Sequence, residues 1–219
     1  MPSRGHSDFA IVLVAAGAST RMGFPKLWAD VHGQPLITHA VASAIAANPC
    51  EVVLVVTADR VAQMRELAPS VRVVCGGARR RDSVAAGVAA CTCEWLAIHD
   101  AARALAPPAL FQRGLHAART SGVAIPAVPL KDTIKRIAGG RVVDTPVRAQ
   151  HVAVQTPQVF HRDVLLRALA LTDDDVTDEA ALAEQLGVAV AVFEGDEMAF
   201  KVTTPLDLAL VRTLLTRPA

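Results

Sequence analysis

Short β-branched apolar runs alternate along this chain with longer segments of helical period, and that alternation predicts an α/β protein. The expected architecture is a Rossmann-like, mostly parallel sheet with helices on both faces. A charged, extended stretch around the paired glycines Gly139 and Gly140 adds a β-hairpin arm projecting from that sheet. Size is the third observation. The chain has 219 residues, 52% apolar and 20% charged. A chain of that length can bury roughly 70% of the surface it would expose unfolded, so it needs no covalent staple.

Phe9 to Val14, wholly apolar, reads as the first strand. A helix follows over Pro35 to Ala47, with Pro35 in its first turn and Pro49 beyond its end. Glu51 to Val56 gives a strand, Asp59 to Leu67 a short helix capped by Asp59, and Val71 to Val74 another strand. Arg80 to Ala90 reads as helix and Trp95 to His99 as strand. After a helix at Pro108 to Thr120 and a strand at Val123 to Val128, the character changes. Thr133 to Val154 holds two extended stretches, and Lys131, Asp132, Lys135, Arg136, Arg141, Asp144 and Arg148 suit an exposed arm at about residues 131–154. An isolated two-stranded ribbon is marginal in water, so the arm should pack on something, and a second subunit is the simple candidate. Helices at Arg162 to Ala170 and Thr177 to Leu186, a strand at Ala189 to Phe193 and a last helix from Pro205 to Leu215 complete the chain. No repeat, linker or low-complexity tract divides it, so residues 1–219 are read as one domain.

The formal net charge of +1 argues against a nucleic-acid footprint or a polybasic membrane patch, and no tyrosine is present for base stacking. Yet 18 of the 22 cations are Arg, the residue suited to bidentate phosphate contacts, which leaves a small anionic ligand open. Cys50, Cys75, Cys91 and Cys93 lie in or beside apolar stretches without finger or redox spacing, and are read as buried, reduced thiols. The run from Phe9 to Ala18 is too short to span a bilayer. Cleaving it as a secretory signal would remove the glycine loop that follows, so a cytoplasmic protein is expected.

That loop, Ala15-Ala16-Gly17-Ala18-Ser19-Thr20-Arg21-Met22-Gly23 followed by Pro25-Lys26, carries the strongest local signal. Small residues at the exit of a first strand let backbone N–H groups approach a polyphosphate, and Arg21 and Lys26 add charge. It is neither a Walker loop nor the dinucleotide fingerprint. The bland alternative is a tight strand exit with two solvated cations. A second turn, Gly76-Gly77-Ala78-Arg79-Arg80-Arg81-Asp82-Ser83, joins a strand to a helix; its glycines allow close backbone approach, while Asp82 and Ser83 can cap the helix or touch a ligand. Arg79 and Arg81 read equally well as a solvated face. At His99-Asp100-Ala101-Ala102-Arg103 an apolar strand opens, placing the Asp100 carboxylate where a metal or a sugar hydroxyl could meet it. The alternative pairs Asp100 with Arg103. His99 is read as structural.

These segments, with Asp132-Thr133-Ile134-Lys135, Gln155-Thr156-Pro157-Gln158, Thr177-Asp178-Glu179-Ala180, Lys201-Val202-Thr203, Pro205 and Asp207-Leu208, resemble the 2-C-methyl-D-erythritol 4-phosphate cytidylyltransferase family from about Phe9 to Leu215. The resemblance implies that CTP and methylerythritol phosphate give a CDP-alditol and pyrophosphate, with Mg2+ or another divalent cation. It implies catalytic charge from Arg21, Lys26 and Lys201. Nucleotide contacts are implied at Ala15, Ala16, Gly17, Gly77, Ser83, Asp100 and Ala101, and alditol-phosphate contacts at Asp100, Arg103, Thr133, Arg148, Thr156 and Thr177. The arm is expected to cross to a second subunit, making a composite site in a homodimer. No metal ligand is assigned.

Ala104 stands where proline is usual, Ala78 where an acid is common and Ala199 where asparagine often precedes the lysine; none removes a proposed charge carrier. Asp178 and Glu179 read better as an acidic first helical turn than as a metal pair. Other readings stay open at this point: a CTP-dependent enzyme for another alditol phosphate such as ribitol 5-phosphate, or a catalytically silent nucleotide-binding module. A dehydrogenase is disfavoured by the missing glycine fingerprint.

Overall fold

Elements follow in the order β1 (Phe9–Val14), β2 (Asp30–Val31), β3 (Gln34–Pro35), α1 (Leu36–Ala46), β4 (Glu51–Val56), α2 (Val61–Leu67), β5 (Arg72–Cys75), α3 (Arg80–Ala89), β6 (Trp95–Asp100), α4 (Pro108–Ser121), β7 (Val123–Pro129), β8 (Arg136–Ala138), β9 (Arg141–Asp144), β10 (Val152–Val154), β11 (Gln158–His161), α5 (Arg162–Leu171), α6 (Glu179–Gln185), β12 (Ala191–Glu194) and α7 (Pro205–Leu214). The computed structural model describes residues 8–17, 23–171 and 178–215.

β1 has no polar face, as a strand covered on both sides requires, and it lies parallel between β4 and β6. β5 extends the parallel set beyond β4, while β11 enters antiparallel between β6 and β7. β10 and β12 both pair with β7, antiparallel and parallel respectively. Alternate β1 residues feed two cores. Phe9, Ile11 and Leu13 pack with Leu36, Ile37 and Ala40 of α1, Leu110 and Phe111 of α4, and Leu208 of α7; Ala10 and Val12 pack with Val84 and Val88 of α3, Leu165 of α5 and Ala183 of α6. Helices therefore cover both faces, as the sequence pattern predicts.

Several helix ends follow directly from local chemistry. Gly122, at φ +81°, takes the left-handed position that closes α4, its N–H bonding the Ala118 carbonyl at 2.7 Å. Thr204 and Asp207 form a reciprocal capping box at the start of α7, with Pro205 in its first turn. On α3, Gly87 lets the helix lie against the sheet: a Cβ there would come within 2.4 Å of Val12 Cγ1 and 2.9 Å of Val55 Cγ2. Because both neighbours are short β-branched chains in a packed core, Gly87→Ala is expected to destabilise the protein by roughly 1–3 kcal/mol despite its better helix propensity. Urea denaturation of the two proteins checks this, and an unchanged midpoint would contradict it.

Four sequence expectations need correction. The Asp59 segment opens as a 3-10 turn, Ala58–Arg60, without a side-chain cap, before α2 begins at Val61. Only β8 and β9 form the isolated ribbon; Val152–Val154 returns to the main sheet as β10. The predicted helix at Thr177 starts instead at Glu179, with Asp178 as its cap. Finally, the four cysteines are not all buried and reduced. Cys50 and Cys93 are joined in a disulfide, Cys75 is exposed, and Cys91 is a buried thiol pushed up to about 12 by burial and the nearby Glu51 carboxylate. Cys50 and Cys93 are 43 residues apart in sequence, but they lead into β4 and β6. The loops before both strands bond the start of β1, through Cys50 N–H to Phe9 and Trp95 N–H to Asp8. The strand order, invisible in the spacing, makes them neighbours.

Candidate active site

The carboxyl ends of β1, β4, β5 and β6 lie side by side, and the loops leaving them converge. Ala15 N–H bonds the Val55 carbonyl at 2.8 Å, and Ala101 N–H bonds the Val14 carbonyl at 3.1 Å. These bonds place the Ala15–Gly17 exit beside Asp100 and Ala101. The glycine turn closes against the same exit, since a Cβ on Gly76 would stand 2.8 Å from Ala16 Cβ and 2.7 Å from Ser83 Oγ. Ser83, almost fully buried, ties that turn to α3: its hydroxyl accepts from Gly77 N–H and donates to the Arg79 carbonyl, each at 3.2 Å. Gly77 is itself restricted to glycine by Asp82 Cβ, 2.4 Å from where its own would lie.

Asp100 is the electrostatic centre. Its Oδ1 accepts from Arg80 Nη2 at 3.2 Å and its Oδ2 from Lys201 Nζ at 2.7 Å. Burial alone would raise its pKa, but Arg80 and Lys201 hold the carboxyl well below the usual carboxylate range. Lys201 is brought there by Val202, whose N–H bonds the Ala102 carbonyl at 2.9 Å. Arg103 does not pair with Asp100 in a salt bridge, contrary to the alternative considered above; its Nη1 donates to the Ala199 carbonyl at 2.7 Å, and its buried Nε has no partner. Burial lowers the Arg103 pKa, with Asp100 opposing that effect. A buried guanidinium nitrogen still lacking an acceptor suits an incoming anion.

His99 organises the neighbours of this carboxylate. Burial pushes its imidazole down to about 4, so it is neutral near pH 7. The Arg103 carbonyl, 3.4 Å from Nε2, can only accept, which puts the ring proton on Nε2 and makes Nδ1 the acceptor from the Thr156 hydroxyl at 3.0 Å. Thr156 Oγ1 also accepts from Asp100 N–H at 3.1 Å. With its proton engaged on His99, Thr156 has only a lone pair to offer a ligand. Because His99 has a folded pKa below that of the unfolded chain, the unfolded state binds the extra proton between about 4 and 6.5. Stability is expected to be complete above about 6.5 and to fall towards pH 4, by on the order of 3 kcal/mol. Thermal unfolding across that range checks the sign, and His99→Gln should flatten the slope.

The remaining predicted residues divide. Lys26 opens the 3-10 turn Lys26–Trp28, and its neighbours Pro25, Leu27 and Trp28 line a cleft of about 240 Å³ together with Ala15 and Gly17. Arg60 stacks over Trp28 at 4.4 Å across the same cleft. Thr133 and Arg148 are exposed on the arm; Arg148 Nη1 donates to the Lys131 carbonyl at 2.6 Å, within the arm rather than to the cleft. Arg21 and Thr177 lie outside the described residues. Arg79 pairs with Asp82 at 2.8 Å, and Arg81 reaches the Leu169 carbonyl at 2.6 Å. Asp178 caps α6, and Glu179 is buried on Arg80. The sequence reading assigned no role to Arg80; its place in the glycine-turn motif was the only signal.

A carboxylate held between cations at the open end of a mostly parallel sheet, flanked by a small-residue strand exit and a glycine turn, defines the site of a nucleotidyltransferase. The family of 2-C-methyl-D-erythritol 4-phosphate cytidylyltransferases matches residues 9–217, and the chain belongs to it. A relative of that name from Nocardia farcinica is 46% identical over 214 residues, covering 94% of this chain and 93% of its own. Among solved structures, 4-diphosphocytidyl-2C-methyl-D-erythritol synthase from Anaerococcus prevotii superposes with a TM-score of 0.85 at 25% identity, covering 97% of this chain and all of that one (100%). The Thermus thermophilus cytidylyltransferase gives 0.80 at 31% identity, covering 93% and 96% respectively.

Proposed function

We infer that this chain transfers the cytidylyl group of CTP to 2-C-methyl-D-erythritol 4-phosphate, giving 4-diphosphocytidyl-2-C-methyl-D-erythritol and pyrophosphate. The observation that carries the reading is Asp100 held by Arg80 and Lys201 beside the Ala15–Gly17 exit and the Gly76-Gly77 turn. A phosphate oxygen of the alditol phosphate attacks the α-phosphorus of CTP; the bond from that phosphorus to the bridging oxygen breaks, and pyrophosphate leaves with the electron pair. Both reactants are anions, so positioning and electrostatic stabilisation carry the catalysis.

Lys201, Lys26 and Arg21 supply charge for the α-phosphate and the leaving group. Ala15, Ala16, Gly17, Gly77, Ser83, Asp100 and Ala101 hold the nucleotide, the glycine turn leaving room for a pyrimidine read by backbone groups. Asp100, Arg103, Thr156 and Thr177 hold the alditol phosphate, with the unpartnered Arg103 Nε aimed at an anion and the Thr156 lone pair at a hydroxyl. Thr133 and Arg148 join from the arm of a second copy, which fits an arm bearing the exposed apolar residues Ile137, Val142 and Val147. A homodimer follows, in which each copy is one nucleotidyltransferase domain.

A divalent cation belongs to this chemistry. Asp100 is a hard oxygen donor at the cleft, while Glu179 is turned to Arg80, so among the described residues Asp100 is the donor whose chemistry fits such an ion. Asp100 would hold it, and when bound it would supply neutralising charge. Among the described residues no helix is long and apolar enough to cross a membrane. The reading places the protein in the cytoplasm, where nucleoside triphosphates are at hand.

Pyrophosphate release with CTP and magnesium, comparing methylerythritol phosphate with ribitol 5-phosphate, tests the assignment. Faster turnover of ribitol phosphate would overturn it, and CTP binding without release from either would favour the silent module.

A further inference from the structure

Cys50 stands just before β4 and Cys93 just before β6, at the amino ends of strands whose carboxyl ends open on the cleft. The pair therefore lies on the rim of the sheet opposite the active site. Glu51, the first residue of β4, completes a cluster there: its Oε1 lies 3.5 Å from Cys93 Sγ and accepts from Thr92 N–H at 2.8 Å. One ligand atom from each of Cys50, Glu51 and Cys93 falls within 4.8 Å of the other two. Among the described residues, Glu51 Oε2 has no hydrogen-bond partner and no cationic side chain pairs with the carboxylate. The cluster is thus anionic and open to a cation. Its backbone spacing points the same way, because the two cysteine Cα atoms are 7.4 Å apart. A disulfide usually spans about 4.4–6.8 Å between Cα atoms. Two metal–sulfur bonds of about 2.3 Å hold the sulfurs about 3.8 Å apart around a tetrahedral ion, and so reach further.

We propose that in the reduced protein the Cys50 and Cys93 thiolates and the Glu51 carboxylate hold a divalent ion of the zinc class, with water in the fourth position. Two sulfurs and one oxygen form a borderline-soft donor set, which suits zinc rather than magnesium or calcium. Cys50 is exposed, so the ion and its water reach the site from solvent. Two equivalents of a small thiol open the disulfide, becoming a disulfide themselves and leaving Cys50 and Cys93 as thiols. Each thiol then loses its proton to solvent as the ion binds. Ion and disulfide are alternative clips across the same gap, joining the loops before β4 and β6 whose N–H groups bond Phe9 and Asp8. The two remaining cysteines take no part. Cys91 is buried with its thiol on the Gly87 carbonyl at 3.3 Å, and Cys75 ends β5 at the opposite rim. This site stands apart from the cleft and does not depend on the cytidylyl-transfer reading.

The test is metal titration of the full-length chain, reduced anaerobically with a phosphine and then freed of it, using Co2+ alone and Zn2+ alone. Wild type is expected to take up an equimolar amount of Co2+ with a thiolate-to-cobalt charge-transfer band in the near ultraviolet. Zn2+ should displace the cobalt and raise the Tm of the reduced protein, since the ion binds only the folded arrangement. Cys50→Ser and Cys93→Ser should each remove the band and weaken Zn2+ binding by at least about a hundredfold. Glu51→Gln should keep both sulfurs but weaken binding by at least about tenfold, the loss that follows even from removing an outer-shell partner. Cys75→Ser should behave as wild type. A reduced wild type without the band would make the pair a thiol–disulfide couple only and overturn the proposal, as would a bridge that the phosphine leaves closed. A band that survives in Cys50→Ser or Cys93→Ser, or vanishes in Cys75→Ser, would place the ion elsewhere and overturn it too. Should a serine variant fail to fold, iodoacetamide labelling of reduced wild type, mapped by mass spectrometry with and without Zn2+, decides the matter. Protection of Cys50 and Cys93 together supports the site, and labelling unchanged by Zn2+ overturns it.

Discussion

Lys201→Met is expected to slow pyrophosphate release at saturating substrates by about a hundredfold or more, the loss usual for one preorganised donor aimed at developing charge. The side chain is held at the cleft by the backbone, through Val202 N–H on the Ala102 carbonyl, and by Asp100, 2.7 Å from Nζ. Lys201 is about one-third exposed, at 36%, and Arg80 still pairs the buried Asp100 when the ammonium is removed, so the loss of stability is expected to be small beside the loss of rate. The variant should therefore fold with a Tm close to wild type and fail chiefly in kcat. Lys26→Ala and Arg21→Ala should behave alike. If all three variants release pyrophosphate at near-normal rates, the charge-based mechanism is wrong, and if Lys201→Met merely unfolds, the ammonium is structural.

Disrupting the arm is expected to remove activity without touching the cleft. Ile137 is 68% exposed and Val142 60%, an apolar pair on a ribbon too short to be stable alone. Ile137→Asp with Val142→Asp should leave the folded core intact and yield monomers in light scattering. Turnover should fall by about a hundredfold or more, the lower bound for losing two charge-assisted contacts of roughly 1.5–3 kcal/mol each. Thr133 and Arg148 would then be absent from the neighbouring cleft. An active monomer would sink both the dimer and the composite site, whereas an inactive dimer would separate assembly from catalysis.

The strands β1 and β4 were legible because their residues are apolar throughout, and a run with no polar face leaves a strand little choice but a covered, parallel position. β11 was not, since Gln158–His161 is short, follows Pro157 and carries polar residues at both ends; tertiary pairing with β6 and β7 makes it a strand. Asp59 looked like a helix cap by type alone, yet the backbone takes a 3-10 turn there that no side chain caps. In the site, the small-residue exit, the glycine turn and Asp100 were readable from their strand-to-loop context. The partners of Asp100 were not.

Composition and periodicity thus set the layer order and the loop ends at which chemistry could occur, because backbone preference and hydrophobic burial act within a window of neighbouring residues, while the ordered motifs carried the resemblance to the family. Packing alone determined that Arg80, Asp100, Glu179 and Lys201 share one network, that His99 is neutral and directs Thr156, and that Cys50 meets Cys93. Coulombic and hydrogen-bond terms fall off over a few ångströms of space, and residues separated by about a hundred positions come within that range only after the sheet has ordered them.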